Sequence, residues 1–504
     1  MNMSGNNGSK KSIYDKIVDW FDLRFGFTKT PLKPIPDFAL NPIYWLGLLL
    51  ALTFVMQGAT GMFMLFYYVP SPAQAYSSTL NIINNVPLGR LVETLHLYGA
   101  YAMILLAFMH LARNYFGSAH KGNRSLMWLA GIALGLIVLT FGVTGYLLPW
   151  TVISKSATDV AVGFVNFFPP QLANIAKFYL TGSGSDADEL NNFLHIHTVV
   201  LPAALILFLG LKIYMYEVHG PAYVPAFGKP KQTGGRIVRW FPEVFLYAVI
   251  LFSIYIAILF AVASIFPISL PPGFSAQTAG QYVVQPDWYL LWLYQILKIQ
   301  LFEGPYAVYA IVAAGIFVAL LLLLPLYDRS KRRDLSQRPL YVTVGVMIVA
   351  EFITLTVWGY LTPGRIIPDY QALSILGGVL IAVAILMWFV YRIRRTRVPI
   401  RVVQSREPPR PSSAPSAKPA VTEQLVGALR SVRPSLLNRF TALFVLLLVV
   451  SSVSLATSVN LLPNLLTNLP FFGMTVIVFL GSLYFMCRML RGFVLAYERE
   501  VNAH

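Results

Sequence analysis

From Glu93 to Asn114 the chain reads ETLHLYGAYAMILLAFMHLARN, an apolar run holding two histidines, His96 and His110. A run of this length and character is enough to cross a bilayer core as a helix. The histidines stand 14 residues apart, which on an α-helix comes within about 40° of four full turns and rises roughly 21 Å. Both imidazoles therefore leave one face of one helix, near opposite sides of a hydrocarbon layer about 30 Å thick. An imidazole buried in lipid needs a partner, and two are open to it: a polar contact between packed helices, or ligation of a metal or heme. One such histidine would favour the contact; a pair at this period favours ligation.

The rest of the chain has the same solvent preference. Of its 504 residues, 57% are hydrophobic, and the mean hydropathy of +0.64 lies outside the range of a soluble domain. Ten stretches are long and apolar enough to span, at about 42–68, 92–112, 127–149, 194–216, 243–266, 305–327, 340–361, 371–391, 438–461 and 469–487. The polar start MNMSGNNGSKKS carries no apolar core of a cleavable signal. With the N-terminus placed in the cytoplasm, Arg90, Lys155, Lys177, Lys298 and Arg365 are the only Lys and Arg on the far side. That asymmetry is the positive-inside pattern, so the net charge of +17 reads as topology and membrane-lipid contact rather than nucleic-acid binding. The sole cysteine, Cys487, excludes an internal disulfide, an iron–sulfur cluster and a multi-cysteine metal site. The expected fold is an all-α polytopic helical membrane protein in the cell membrane, with both termini cytoplasmic.

Glycines repeat the histidine period. The first span carries Gly47 and Gly61 and the third Gly131 and Gly145, each pair again 14 apart. Glycine lets a helix or a flat ligand approach the backbone closely, so two pairs in step with the histidines imply two flat groups stacked across the membrane. The fourth span opens with His195 and His197; two residues apart, they lie about 200° apart on a helix, and only one can face the bundle interior. Its other end has Lys212 where a matching histidine would fall.

The motifs QGATGMFMLFYY (57–68), FGVTGYLLPW (141–150), HTVVLP (197–202), PDWY (286–289) and QRPLYVTV (337–344) occur in this order. With them the chain resembles cytochrome b of the quinol-oxidising bc and b–f complexes, in a form that fuses the two halves separate in the b–f branch. The resemblance runs from about residue 12 to 392. It implies a four-helix bundle holding two non-covalent hemes, one on His96 and His197 and one on His110 with the residue at Lys212, and Arg113 pairing a heme propionate. His195 stays as the alternative to His197. Lys212 has two readings, a neutral amine ligating iron or a side chain reaching for the interface. Glu93 and Asn192 stand where family arginines pair the other heme's propionates, which implies a changed potential or a modified heme type. Trp45 replaces the cysteine that tethers an extra heme in the b–f branch, so no third covalent heme is expected.

The resemblance further implies a quinol-oxidising pocket in which Asp287 takes the proton, lined by Tyr289 and Tyr146, and a quinone-reducing site with Glu243 and Glu217. For Glu217 a solvated loop acid is an equal reading. Glu351, deep in the seventh span, has no assigned role. The implied domains are a lead-in with an interfacial helix (1–41), a diheme-binding domain (42–218), a second cytochrome b domain with the PDWY loop (219–392), a Pro/Arg-rich linker (393–437), and two extra spans with a tail (438–504). A Rieske iron–sulfur partner, a homodimer within a larger complex, proton translocation and an association with terminal oxidase subunits are expected, in an archaeal or deep-branching bacterial membrane. A diheme anchor of a dehydrogenase would share the histidines but not PDWY; a transporter would share the spans but not the matched periods.

Overall fold

The computed structural model describes residues 35–222, 237–238, 240–275, 277, 280–330 and 332–396, together with 19, 22 and 23. Eight helices among them are long and apolar enough to cross a membrane, and they coincide with the first eight apolar stretches. The expected spans at 438–461 and 469–487, the linker and most of the lead-in lie outside the described residues. The chain is an all-α polytopic membrane protein. The strands among the described residues form one two-residue antiparallel pair, Ile35–Pro36 with Ile237–Val238.

The larger of two compact units comprises residues 41–235 and 266–397. Its first half holds α1 (Leu46–Leu65), α2 (Ala75–Asn84), α3 (Gly89–Phe116), α4 (Ser125–Leu147), α5 (Val152–Gly163), α6 (Pro170–Thr181), α7 (Asp186–His195) and α8 (Leu201–His219). In it α1 packs along α3, α4 along α8, and α3 against α4, giving four long helices around a common interior. The smaller unit contains the strand pair and α9 (Phe245–Ile265). The larger unit continues with α10 (Leu291–Leu297), α11 (Ala307–Tyr327), α12 (Pro339–Leu361) and α13 (Asp369–Thr396). There α12 packs on α10 and α13, and reaches α3.

Local sequence explains where these helices start. Before α1, the Asn41 side chain caps a short turn by accepting from Ile43 N–H at 3.1 Å. Thr151 and Ser154 form a capping box on α5, and Pro170 occupies the first position of α6. Between α7 and α8 the chain makes a π-helical turn, Ile196–Val200, in which Leu201 N–H reaches back to the Ile196 carbonyl. Pro202 follows at once; it has no N–H, so the α-helical ladder loses a bond there and the wider turn takes up the difference. His197 sits inside this turn.

Two charged clusters brace the ends of the unit. At the His110 end the fully buried Asp328 binds His120 Nε2 at 2.8 Å, Lys121 Nζ at 2.9 Å and the Arg338 guanidinium. Burial pushes the Asp328 carboxyl up, yet Lys121, His120 and Arg338 outweigh it and hold the group below the usual carboxylate range. At the His96 end buried Lys155 binds Asp159, Asp186 at 3.2 Å and Glu189 at 3.1 Å. The first cluster ties residues of the first half to the loop before α12; the second ties α5 to α7.

Candidate functional site

The four period-matched glycines each face one donor side chain. A Cβ added at Gly61 would lie 3.3 Å from His96 Cε1, and one at Gly145 would lie 2.7 Å from His197 Cε1. At the other level a Cβ at Gly47 would lie 3.4 Å from His110 Cε1, and one at Gly131 would lie 3.0 Å from Lys212 Nζ. So α1 walls the donors of α3, and α4 walls the donors of α8. Flat groups held between α3 and α8 fit these walls, because glycine leaves the backbone of α1 and α4 bare beside each donor.

At the His96 level the two imidazoles face each other, with ring centroids 6.4 Å apart. His195 is exposed, while His197 turns inward against Phe141, 5.3 Å away ring to ring. Each inward ring is held the same way. Thr60 Oγ1 lies 2.9 Å from His96 Nδ1, and Thr144 Oγ1 lies 3.0 Å from His197 Nδ1. Each threonine hydroxyl also donates to a carbonyl of its own helix, Met56 at 2.9 Å and Thr140 at 2.8 Å. With that hydrogen committed, the hydroxyl oxygen can only accept from the ring, so Nδ1 carries the proton and Nε2 keeps its lone pair. Gln57 adds a bond from Nε2 to the His96 carbonyl at 2.8 Å; its side-chain oxygen fills the space above Gly99 that a Cβ would need.

At the His110 level the polar groups are incomplete. His110 Nδ1 and Arg113 Nε are buried without hydrogen-bond partners. Arg113 otherwise stacks 4.5 Å over the Tyr44 ring and donates to Asn114 Oδ1 at 2.6 Å. A cavity of about 670 Å³ opens here, lined by Gly47, His110, Gly131 and Lys212 among mostly apolar residues. Orphaned polar atoms around an apolar cavity describe a site finished by what binds in it.

A second site lies beside the His96 level, against the stretch of α3 that follows His96. Pro286 and Asp287 precede the short turn Trp288–Leu290, and the Asp287 side chain makes no cap bond to it. Instead its Oδ1 accepts from the Tyr101 hydroxyl at 3.0 Å. Burial raises the Asp287 carboxyl to about 6, with the Tyr101 bond pulling the other way. Tyr289 is buried with its hydroxyl against Gly142, where a Cβ would lie 2.9 Å away; burial and the Asp287 charge push its phenol up. The Asp287 charge also acts on Tyr146. The structure therefore brings Asp287, Tyr289 and Tyr146 together around Tyr101. Glu217 is exposed near the end of α8, and Glu243 is exposed in the smaller unit.

Sequence reasoning missed Thr60, Thr144 and Tyr101. The first two had a signal: both precede a period-matched glycine, so Thr-Gly recurs in QGATG and FGVTG. Tyr101 had none, being one aromatic in an apolar run.

Comparison with known proteins gives the family. The family model described as Cytochrome b/b6/petB matches residues 33–220, and that described as Cytochrome b(C-terminal)/b6/petD matches residues 277–376. Cytochrome b of Sulfolobus acidocaldarius is 30% identical over 419 residues, covering 77% of this chain and 73% of that protein. The cytochrome bc complex cytochrome b subunit of Chlorobaculum thiosulfatiphilum is 29% identical over 350 residues, covering 68% and 81%. A chain of the solved structure described as Hyperthermophilic respiratory Complex III shares the fold, with a TM-score of 0.61 and 24% identity over 75% of this chain and 98% of that one. With glycine-walled donors at two depths and both family models in one polypeptide, the chain belongs to the cytochrome b family.

Proposed function

We propose that this chain is the diheme cytochrome b subunit of a respiratory quinol-oxidising complex. The observation that carries the reading is the pairing of four glycines with four donors at two levels. His96 and His197 would hold one b-type heme and His110 with Lys212 the other; bound there, the hemes supply one-electron carriers across the membrane. Thr60 and Thr144 hold Nδ1–H, so that the Nε2 lone pairs of His96 and His197 point inward. Lys212 serves as a ligand once its amine is neutral, and no hydrogen bond or ion pair among the described residues holds it back as a cation. Arg113 has a free Nε for a propionate.

In the second site Asp287, as carboxylate, accepts a proton from a quinol hydroxyl, while Tyr101 orients it and Tyr289 and Tyr146 line the pocket. One electron would leave to a Rieske iron–sulfur partner, and the other would cross by the two heme levels to a quinone-reducing site to which the resemblance assigns Glu243 and Glu217. Protons released at one side and taken up at the other build a gradient across the cell membrane. Assembly as a homodimer, with terminal oxidase subunits as further partners and both termini cytoplasmic, belongs to the same reading. Glu93 and Asn192, in place of family arginines, support a shifted potential or modified heme at the His96 level.

A pyridine hemochrome assay on the purified chain tests the reading: two hemes per chain are expected, and one or none overturns it. Quinol-driven heme reduction tests the second site, and Asp287→Asn is expected to abolish it with both hemes retained.

A further inference from the structure

The cavity at the His110 level contains an acid that the proposed function does not use. Glu351 lies midway along α12 and lines the same cavity as His110 and Lys212. Both of its carboxyl oxygens are buried without a hydrogen-bond partner. Its surroundings are apolar: Phe352, next to it, packs edge-on against Phe108 at 5.2 Å and beside Trp292 at 6.3 Å. The titratable side chains facing the cavity are His110 from α3, Lys212 from α8 and Glu351 from α12; α1, α4, α10, α11 and α13 bring none. Among the described residues, Glu351 is its sole acid.

A lone carboxylate in hydrocarbon is costly, and so is a lone positive charge; each relieves the other. A heme iron held by a neutral imidazole and a neutral amine carries a net positive charge within its macrocycle when ferric and none when ferrous. We propose that Glu351 is the counter-charge of this level, a carboxylate while the iron is ferric and a carboxylic acid once it is ferrous. With heme held there, a Glu351 oxygen would take one proton when the level gains one electron from quinol, and would release it when that electron moves on. Electron arrival at this depth is then a proton-taking event inside the membrane, separate from any proton taken by quinone. The inference rests on the diheme reading above.

Potentiometric titration of the heme-loaded full chain, read optically from mildly acidic to mildly alkaline pH, tests it. In the native protein the reduced-to-oxidised ratio of the His110-level heme should fall with rising pH, by up to tenfold per unit, about 59 mV for a one-electron couple. In Glu351→Gln that dependence flattens, and at neutral pH the ratio rises roughly tenfold through the lost charge. The His96-level heme stays put and serves as the internal reference. Redox-difference infrared spectra should gain a protonated-carboxyl stretch on reduction of the native protein and lose it in Glu351→Gln. Two hemes with native potential and pH slope in Glu351→Gln would overturn the inference and leave the diheme reading standing. A hemochrome count below two would overturn both. Should Glu351→Gln fail to fold, Glu351→Asp decides: a retained slope with a displaced carboxyl band supports the role, and a lost slope overturns it.

Discussion

The His96 and His110 levels share one helical period but are finished differently. At the His96 level each imidazole has its Nδ1 held by the threonine that precedes the facing glycine. At the His110 level the residues preceding the facing glycines are Leu46 and Ala130, which offer no hydroxyl, and His110 Nδ1 has no partner. The donor opposite is an amine on a flexible stem rather than a ring. The close approaches match on α1, 3.3 Å at Gly61 and 3.4 Å at Gly47, and are tighter on α4, 2.7 Å at Gly145 and 3.0 Å at Gly131. One level is set in position by the protein before anything binds; the other is an apolar cavity with loose polar ends and an acid in its wall. Equal spacing along a helix therefore fixes where two groups sit and leaves open how firmly each is held.

The comparison breaks most visibly at the ligands. His197→Ala should cut the heme content from two per chain to one and reduce quinol-driven heme reduction to background, while His195→Ala should leave both unchanged. Loss of heme in His195→Ala would reverse the assignment on α8. Next come the glycine walls. Gly145→Ala places a methyl group 2.7 Å from a ring carbon with little room to give, so it should cost about 1–3 kcal/mol and selectively weaken the His96 level. Gly47→Ala meets ordinary contact at 3.4 Å and should be near neutral in thermal melts followed by heme absorbance. Equal losses would show that the α4 wall at Gly145 is packed no more tightly than the α1 wall at Gly47. Thr144→Val keeps the shape and removes the acceptor of His197 Nδ1–H; loss of such an outer bond typically costs about 10- to 100-fold in affinity. Competition for heme should show that loss at the His96 level only.

How much of this was legible in the residues follows from the physics of each feature. Eight spans could be read because a bilayer demands some twenty apolar residues, whatever the neighbours. The histidine and glycine periods could be read because a helix repeats without help from the rest of the fold. The threonine supports were harder, since a threonine in a span ordinarily bonds its own backbone, and Thr60 and Thr144 do that as well. Their second role depends on how two helices are rotated against each other. The π-turn at His197 needed the backbone, although Pro202 is its cause. The Asp328 cluster was hidden by distance: His120 and Asp328 are 208 residues apart, and basic residues outside the spans read as solvated anchors until a buried acid is found among them. Asp287 was visible in PDWY, but its partner Tyr101 was not, because the pair forms 186 residues apart.

The smallest effect extends the comparison to the acids beside the two levels. Glu351 has no donor, whereas Asp287 has Tyr101. For Asp287 the carboxyl sits at about 6 rather than its ordinary 3.8, so the folded chain binds that proton more tightly than the unfolded one. Its contribution to stability is therefore present at low pH and lost as pH rises between those values. Activity runs the opposite way, because a base must be deprotonated to accept from quinol. Quinol oxidation should rise with pH through about 6 and level off above it. Tyr101→Phe removes the hydrogen bond that favours the charged form, so the midpoint of that rise should move to higher pH while the plateau changes little. A midpoint that stays in place, or moves down, would mean that the Tyr101 hydroxyl does not govern this carboxylate, and that the acid at the His96 end is tuned by burial alone, as an acid without a donor would be.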